Sequence, residues 1–392
     1  MNQKISIVGM GYVGCGNALM LAKNNLVSIV DIDRQKVDNF NNNQQLPIFD
    51  KFAQQYLENE ALNISATSSL LDSIEDASYV ILALPTNFNE ITMEFDTQFI
   101  DRVAEEVIDA NKNAIIVIKS TVNIGYTQSL KAKFNTNRIL FSPEFLREGH
   151  ALDDNLNPSR IIIGGDRNIS IPFGKLITDS IHDHSPPILF MECTEAESTK
   201  LFSNTYLAMR VAFFNELDSF CMDNDLSSED IIKGVSLDKR IGNYYNNPSF
   251  GFGGYCLPKD SKQLLSRFKT TPHNLLQSIQ DSNKARAIFL ADKIMEKKPK
   301  IIGIYRLAMK QGSDNSREAS IFSVIHELAR RNVVICIFDP SITELEIEDA
   351  TLIIEFKEFI ELSDIILANR LDTEIKPFSD KVFSRDIFSS DE

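Results

Sequence analysis

Cysteine is sparse in this chain. The five present (Cys15, Cys193, Cys221, Cys256 and Cys336) are scattered, odd in number and form no C-x-x-C pair, so they suggest neither a disulfide framework nor a zinc site. A reducing, cytoplasmic setting fits. No apolar run approaches the roughly 18 residues that a membrane span needs, and no basic stretch followed by an apolar signal core precedes Lys4-Ile5-Ser6-Ile7-Val8, so a soluble, intracellular protein is expected. Positive charge is outnumbered: a formal net charge of -15 argues against nucleic acid or an anionic membrane as the main partner. An anionic small molecule would need a local basic pocket. Low-complexity segments and short repeats are also lacking, and the apolar share of 43% is ample for packed cores. At 392 residues, two or three domains are expected.

The apolar run at 4–8 stops at Gly9-Met10-Gly11-Tyr12-Val13-Gly14, and a helical pattern follows over Asn17 to Lys23. This is G-x-G-x-x-G after a strand and opening a helix. A second strand, Val27 to Val30, ends in Asp31, about 20 residues on, where a carboxylate binds the adenosine ribose of a dinucleotide. The plain alternative is a tight strand-to-helix turn that holds nothing. Asp31 favours NAD over NADP, because a carboxylate repels a 2'-phosphate, although Arg34 and Lys36 stand nearby. Further strands at Tyr79–Leu84, Ala114–Ile118 and Arg138–Phe141, with a helix near 97–110, predict a parallel, doubly wound sheet. Its strands end in Pro85-Thr86, Lys119-Ser120-Thr121 and Ser142-Pro143-Glu144, on the side where such sheets bind ligands. A hydroxyl such as that of Thr86 also suits a helix cap.

From Thr194 to about Asp223 there is neither Gly nor Pro, which predicts one helix of about 45 Å opened by a Thr194/Glu197 capping box. Its apolar positions are too many for one stripe, suggesting burial on more than one side, as in a dimer. Lys200 and Asn204 lie four apart on one face. After a shorter helix following Ser227, an irregular Asn- and Tyr-rich segment, residues 238–249, leads into Gly251-Phe252-Gly253-Gly254-Tyr255-Cys256-Leu257-Pro258-Lys259-Asp260. Glycines permit close backbone approach, and a lysine and an aspartate beside a thiol make a nucleophile's surroundings. A glycine-rich turn with a buried cysteine is the alternative. Helical patterns resume to about 297. Lys298-Pro299-Lys300 marks a boundary, and strands at Ile301–Tyr305, Val333–Phe338 and Ile365–Ala368, with a helix at Ile321–Arg330, form a second α/β lobe. The last few residues are expected to be disordered.

With the glycine fingerprint, Ser142 to Gly149, the Lys200/Asn204 helix and the run from Arg240-Ile241-Gly242 through Asn246-Asn247-Pro248-Ser249-Phe250 to Asp260, the whole chain resembles the short bacterial UDP-glucose 6-dehydrogenases of the UDP-glucose/GDP-mannose dehydrogenase family. The resemblance implies two Rossmann-like doubly wound domains joined by a long central helix and a helical dimerisation region. That places NAD on 1–193, dimerisation and the cysteine loop on 194–297, and UDP on 298–392. It implies a homodimer that oxidises UDP-glucose at C6 to the carboxylate with two NAD in succession. Asp260, or a water it holds, would take the hydroxyl proton and Lys200 would stabilise the alkoxide. Cys256 would form a thiohemiacetal and then a thioester, its thiol acidified by Lys259 and the loop amides. Glu144 would activate the hydrolytic water while Lys200, Asn204 and Thr121 polarise the carbonyl.

By the same resemblance Asp31, Lys36, Thr86, Thr121, Glu148, Lys259 and Arg317 face NAD, beside the Gly9, Gly11, Tyr12, Val13 and Gly14 turn. The sugar nucleotide would meet Glu144, Phe145, Leu146, Arg147, Glu148, Lys200, Asn204, Tyr245, Asn246, Asn247, Pro248, Ser249, Gly253 and Lys310, with Arg240 from a second subunit and Arg385 at the UDP. These cations supply the basic pocket. Two departures from the usual wording are Cys15-Gly16-Asn17 and Asn123-Ile124-Gly125; Cys15 is read as helix packing. UDP-N-acetylhexosamine or GDP-mannose as substrate, a 3-hydroxyacid dehydrogenase needing one NAD and no cysteine, and a NAD-binding regulator without turnover are the competing readings.

Overall fold

In the central strands of each sheet the apolar residues fill both alternating faces, so those strands must be covered twice. A computed structural model describes residues 3–182, 186–307, 319–342, 347 and 350–389. Lys310, Arg317 and the last three residues lie outside that set. The chain divides into two compact units, Met1–Leu201 and Phe202–Glu392.

The first unit is built on an eight-stranded sheet in the order Ile188–Met191, Ile161–Gly164, Ile139–Phe141, Ile115–Ile118, Tyr79–Leu82, Lys4–Val8, Leu26–Val30, Ile64–Thr67. Six strands run parallel, with Ile5 opposite Val27 and Tyr79. The first two in that order, parallel to each other, differ from the expected parallel sheet: Ile161–Gly164 meets Ile139–Phe141 antiparallel through one pair, Phe141 with Gly164. The segment between them carries the loop Phe145–Glu148 and only a six-residue helix, Ala151–Leu156. A full crossover helix, which a parallel return requires, is not there. Ile5, Ile7, Val27 and Ile29 face a core with Leu19, Leu152 and Phe173, whereas Val8, Val30, Ile116 and Ile118 face one with Ile100, Val107 and Leu130. The strands at 64–67, 161–164 and 188–191 were not anticipated.

The helix Cys193–Asp223 is 31 residues long, as its lack of Gly and Pro predicts, and passes from the first unit into the second. Its start is capped differently from expectation. Glu195 Oε2 accepts from Glu192 N at 2.9 Å, and Glu197 accepts from Gly125 N at 2.6 Å and Thr127 N at 2.8 Å, so Glu197 caps the neighbouring helix Tyr126–Lys133.

The second unit holds a five-stranded, wholly parallel sheet in the order Ala350–Leu352, Val334–Phe338, Ile301–Tyr305, Ile365–Ala368, Val382–Phe383. Helices Asn274–Met295 and Ser320–Ala329 pack on one face, and Phe356–Leu362 on the other. Asp218, on the long helix, is fully buried and ties this unit together: Arg286 Nη2 reaches Oδ2 at 2.5 Å, Arg385 Nε reaches Oδ2 at 2.9 Å while its Nη2 bonds Oδ1, and Ser228 Oγ donates to Oδ1 at 2.7 Å. Burial pushes the Asp218 carboxyl up, but the bond from Arg385 and the charges of Arg286 and Arg385 outweigh it and hold the group below the usual range.

Removing one member of such a network strands the others. Asp218→Ala is expected to cost about 3–5 kcal/mol in urea unfolding at neutral pH. Because the folded carboxyl titrates below its unfolded value, its stabilisation is complete above roughly pH 4 and is lost as pH falls through the folded value; the gap between wild type and variant should narrow only there.

Candidate active site

The glycine turn after the first strand is a cradle open on one side. Gly9 has φ +111°, and a Cβ on it would lie 2.3 Å from the Ala83 carbonyl oxygen; one on Gly14 would lie 1.8 Å from the Gly9 carbonyl oxygen. A Cβ on Gly11 would meet nothing within 4 Å. The helix Tyr12–Ala22 that begins there has no side-chain cap and no acidic residue in its first turn. Its N-terminal end and dipole therefore favour an anion such as a pyrophosphate. Asp31 closes the turn, accepting from Met10 N and Asp33 N at 3.0 Å each, with Lys36 4.0 Å away. Thr86 is buried and donates to the Thr121 carbonyl at 2.7 Å, joining two strand ends. This donor set fits a dinucleotide.

Glu144 lies at the end of the strand Ile139–Phe141 and is buried among donors. Lys119 Nζ bonds its Oε1, Asn17 Nδ2 donates to the same oxygen at 3.0 Å, and Lys200 Nζ donates to its backbone carbonyl. Lys200 also stands 5.3 Å from the Phe145 ring centre, and the Arg160 guanidinium lies 3.8 Å above that ring. Burial pushes Arg160 down from its ordinary value. A cavity of about 160 Å³ adjoins the cluster, lined by Lys119, Glu144, Phe145, Asp154 and Arg160 among others. Leu146 and Glu148 are half-buried in the following loop, where Arg147 is held by Asp154 through Nη2 at 2.8 Å and Nε at 3.1 Å.

In the second unit the expected cysteine loop is half helix. Cys256 opens the helix Cys256–Arg267, which places the thiol at a positive helix end. Cys256 is exposed, while Cys15, Cys193, Cys221 and Cys336 are buried. Burial and then Asp31 push the Cys15 thiol up to about 12, in keeping with a packing role. One turn into the helix, Lys259 and Asp260 are buried against each other at 2.8 Å, and Asn204 Nδ2 donates to the second Asp260 oxygen at 2.5 Å. Burial lowers the Lys259 pKa, yet Asp260 and then Cys256 outweigh it and the net direction is upward, so the ammonium persists. Asp260 is not the open carboxylate that a direct base would be.

The approach to Cys256 is fixed by amides. Asn283 pairs with the Phe252 backbone in both directions, at 2.8 and 3.0 Å, and a Cβ on Gly251 would strike its Oδ1 at 2.7 Å. Gly253 is half-buried and Pro248 buried. Asn215 Oδ1 accepts from Ser249 N at 2.8 Å; Asn246 donates to Ser236 Oγ at 2.9 Å. Asn247 donates to Asp386 at 2.7 Å and accepts from Ile387 N at 3.0 Å and Phe388 N at 3.2 Å. Tyr245 sits at φ +50°. Arg240 is exposed and paired with Asp238 at 2.6 Å, and Arg385 is committed to Asp218. Lys119, Asn17, Asn215, Asp218, Asn283 and Arg286 were not anticipated as site residues; Asn17 carried a signal as a departure in wording, and Lys119 as part of a strand end on the ligand side.

Residues 3–180, 194–285 and 303–388 match, in turn, the NAD binding, central and UDP binding domains of the UDP-glucose/GDP-mannose dehydrogenase family. The chain is 46% identical over 99% of its length to the whole of a Campylobacter jejuni UDP-glucose 6-dehydrogenase. It is 42% identical over 98% of its length to 99% of one from Streptococcus pneumoniae. In fold it is similar to a UDP-glucose dehydrogenase of Pyrobaculum islandicum, with a TM-score of 0.83 at 23% identity, covering 94% of this chain and 90% of that one. A UDP-D-ManNAc dehydrogenase of Pyrococcus horikoshii gives a TM-score of 0.82 at 21% identity, covering 96% and 93%. Among the described residues no helix is long and apolar enough to cross a membrane.

The two turn glycines should separate on substitution. Gly11→Ala is expected to leave the thermal midpoint unchanged and raise the KM for NAD about tenfold or more, since its methyl enters the cofactor's space. Gly14→Ala should lower the midpoint, because its methyl meets backbone.

Proposed function

The chain belongs to the UDP-glucose/GDP-mannose dehydrogenase family, and we propose from that premise that it oxidises UDP-glucose to UDP-glucuronate with Cys256 as nucleophile. The observation that carries the mechanism is the exposed Cys256 thiol at a helix N-terminus, one turn from a buried Lys259. NAD supplies the hydride acceptor for both oxidations. The helix end and the Lys259 ammonium favour the thiolate that attacks the C6 aldehyde, giving a thiohemiacetal and, after the second oxidation, a thioester. Asp260, sealed and bonded through both oxygens, keeps Lys259 charged and fixes the Asn204 amide. Lys200 steadies negative charge on the C6 oxygen, and Glu144 activates the water that releases the product. Gly9, Gly11, Gly14 and Asp31 hold the cofactor, with Thr86 and Thr121 at the neighbouring strand ends. The working division is residues 1–193 for NAD, 194–297 for the central helix and nucleophile, and 298–392 for UDP.

A second copy is the proposed partner. Phe202, Tyr206, Phe213 and Phe220 lie four, seven and seven residues apart on the long helix and are 48%, 54%, 57% and 59% exposed, a coiled-coil-like apolar stripe. Phe213→Arg should convert a dimer to a monomer in sedimentation; an unchanged sedimentation coefficient would remove the helix from the interface.

Incubation with NAD and a panel of nucleotide sugars, with the product identified by mass, tests the substrate. UDP-glucose should yield two NADH per molecule, whereas one NADH would point to a single oxidation. Reaction of UDP-N-acetylhexosamine or GDP-mannose instead would change the sugar and leave the chemistry. Cys256→Ala should form no UDP-glucuronate while still binding NAD.

A further inference from the structure

The helix Tyr12–Ala22 is apolar around its buried positions except at Asn17, which is fully buried. Its Nδ2 donates to Val13 O at 2.8 Å and to Glu144 Oε1 at 3.0 Å, while its Oδ1 has no hydrogen-bond partner among the described residues. An amide with an orphaned buried oxygen is unfavourable for folding alone, which points to work at Glu144. Lys119 is equally deep, its side chain 7% exposed, and its ammonium meets the same Oε1. Two donors from two elements thus converge on one oxygen of one carboxylate. The other oxygen is left for a water or substrate.

We infer that Lys119 and Asn17 are positioning residues for the hydrolytic step, which clamp Glu144 through Oε1 so that Oε2 takes the proton of the attacking water. The inference rests on the reading of Glu144 as the group that activates that water. A carboxylate on a two-carbon stem samples several orientations; a cation and an amide on one oxygen leave it one. Lys200 meets the backbone of Glu144, and Arg160 and Asp154 line the adjoining cavity, so Lys119 is the cation directly bonded to the carboxylate. In the hydrolysis the water oxygen bonds to the thioester carbon and its proton goes to Oε2. The carbon–sulfur bond then breaks, leaving the sugar carboxylate and the Cys256 sulfur, which takes the second proton of the water and leaves as the thiol, with no change of oxidation state.

Steady-state turnover and mass spectrometry of the Cys256 adduct test this with the whole chain. Lys119→Met should lower kcat about tenfold to a hundredfold, part of the roughly 10²–10⁴ that a positioned base contributes, with little change in KM. The thioester adduct should accumulate, while Lys119→Arg restores much of the rate. Asn17→Leu, which keeps the Lys119–Glu144 pair, should give a smaller loss with the same adduct, and it decides the matter if Lys119→Met does not fold. Neither substitution should add to Glu144→Gln. If Glu144→Gln hydrolyses the thioester normally, the role given to Glu144 fails. If Glu144→Gln stalls there while folded Lys119→Met and Asn17→Leu do not, the clamp alone is overturned.

Discussion

Charge taken out of water must be neutralised where it stands, and much of this molecule's arrangement follows from that requirement. Lys119 is buried with Glu144, Lys259 with Asp260, and Asp218 with Arg286 and Arg385. In each case the partners come from different parts of the fold or from successive positions of one helix turn, so closing the pair fixes side chains that would otherwise be free. The thiol of Cys256 is the counterexample: it remains at the surface, beside a pair already balanced. Exposure keeps the thiol accessible while its charge still acts on Lys259.

The sheets make such pairing possible by bringing strand ends together. Buried on both faces, a strand such as Ile115–Ile118 has no freedom to slip, and the residues just past it, Lys119 to Thr121, are held at a fixed height above the sheet. Thr86 donating to the Thr121 carbonyl shows two such ends in contact. Glu197 adds a tie from the long helix, binding the amides of Gly125 and Thr127. Burial pushes its carboxyl up, and the amide bonds from Thr127 and Gly125 work against that rise.

Elements marked by glycine spacing, uniform apolar runs or the lack of breakers were legible in the sequence. The turn Gly9–Gly14, the central strands and the helix Cys193–Asp223 all fall in this class. Strands at the sheet margins, such as Ile64–Thr67 and Val382–Phe383, were not, because short edges have no distinctive period. The antiparallel pair Phe141–Gly164 depends on how a loop returns, which local pattern does not encode. Among the site residues, Cys256 and Lys259 stood out through their motif. Lys119 did not, since a lysine after a strand reads the same whether it meets solvent or a buried carboxylate. Asp260 and Glu197 were visible as residues while their partners were not: pairing across 56 and 70 positions is a property of the packed chain.

The loop leading to the nucleophile is fastened by the end of the chain. Asn247 is bonded to Asp386, Ile387 and Phe388, Arg370 holds Asp386 at 3.3 Å, and Arg385 completes the charge balance of Asp218. The segment before Cys256 is therefore held by residues about 140 positions away in sequence. A change near residues 386–388 would loosen the approach to the thiol without touching it, so the reach of the nucleophile is governed from a part of the chain that carries no chemistry of its own.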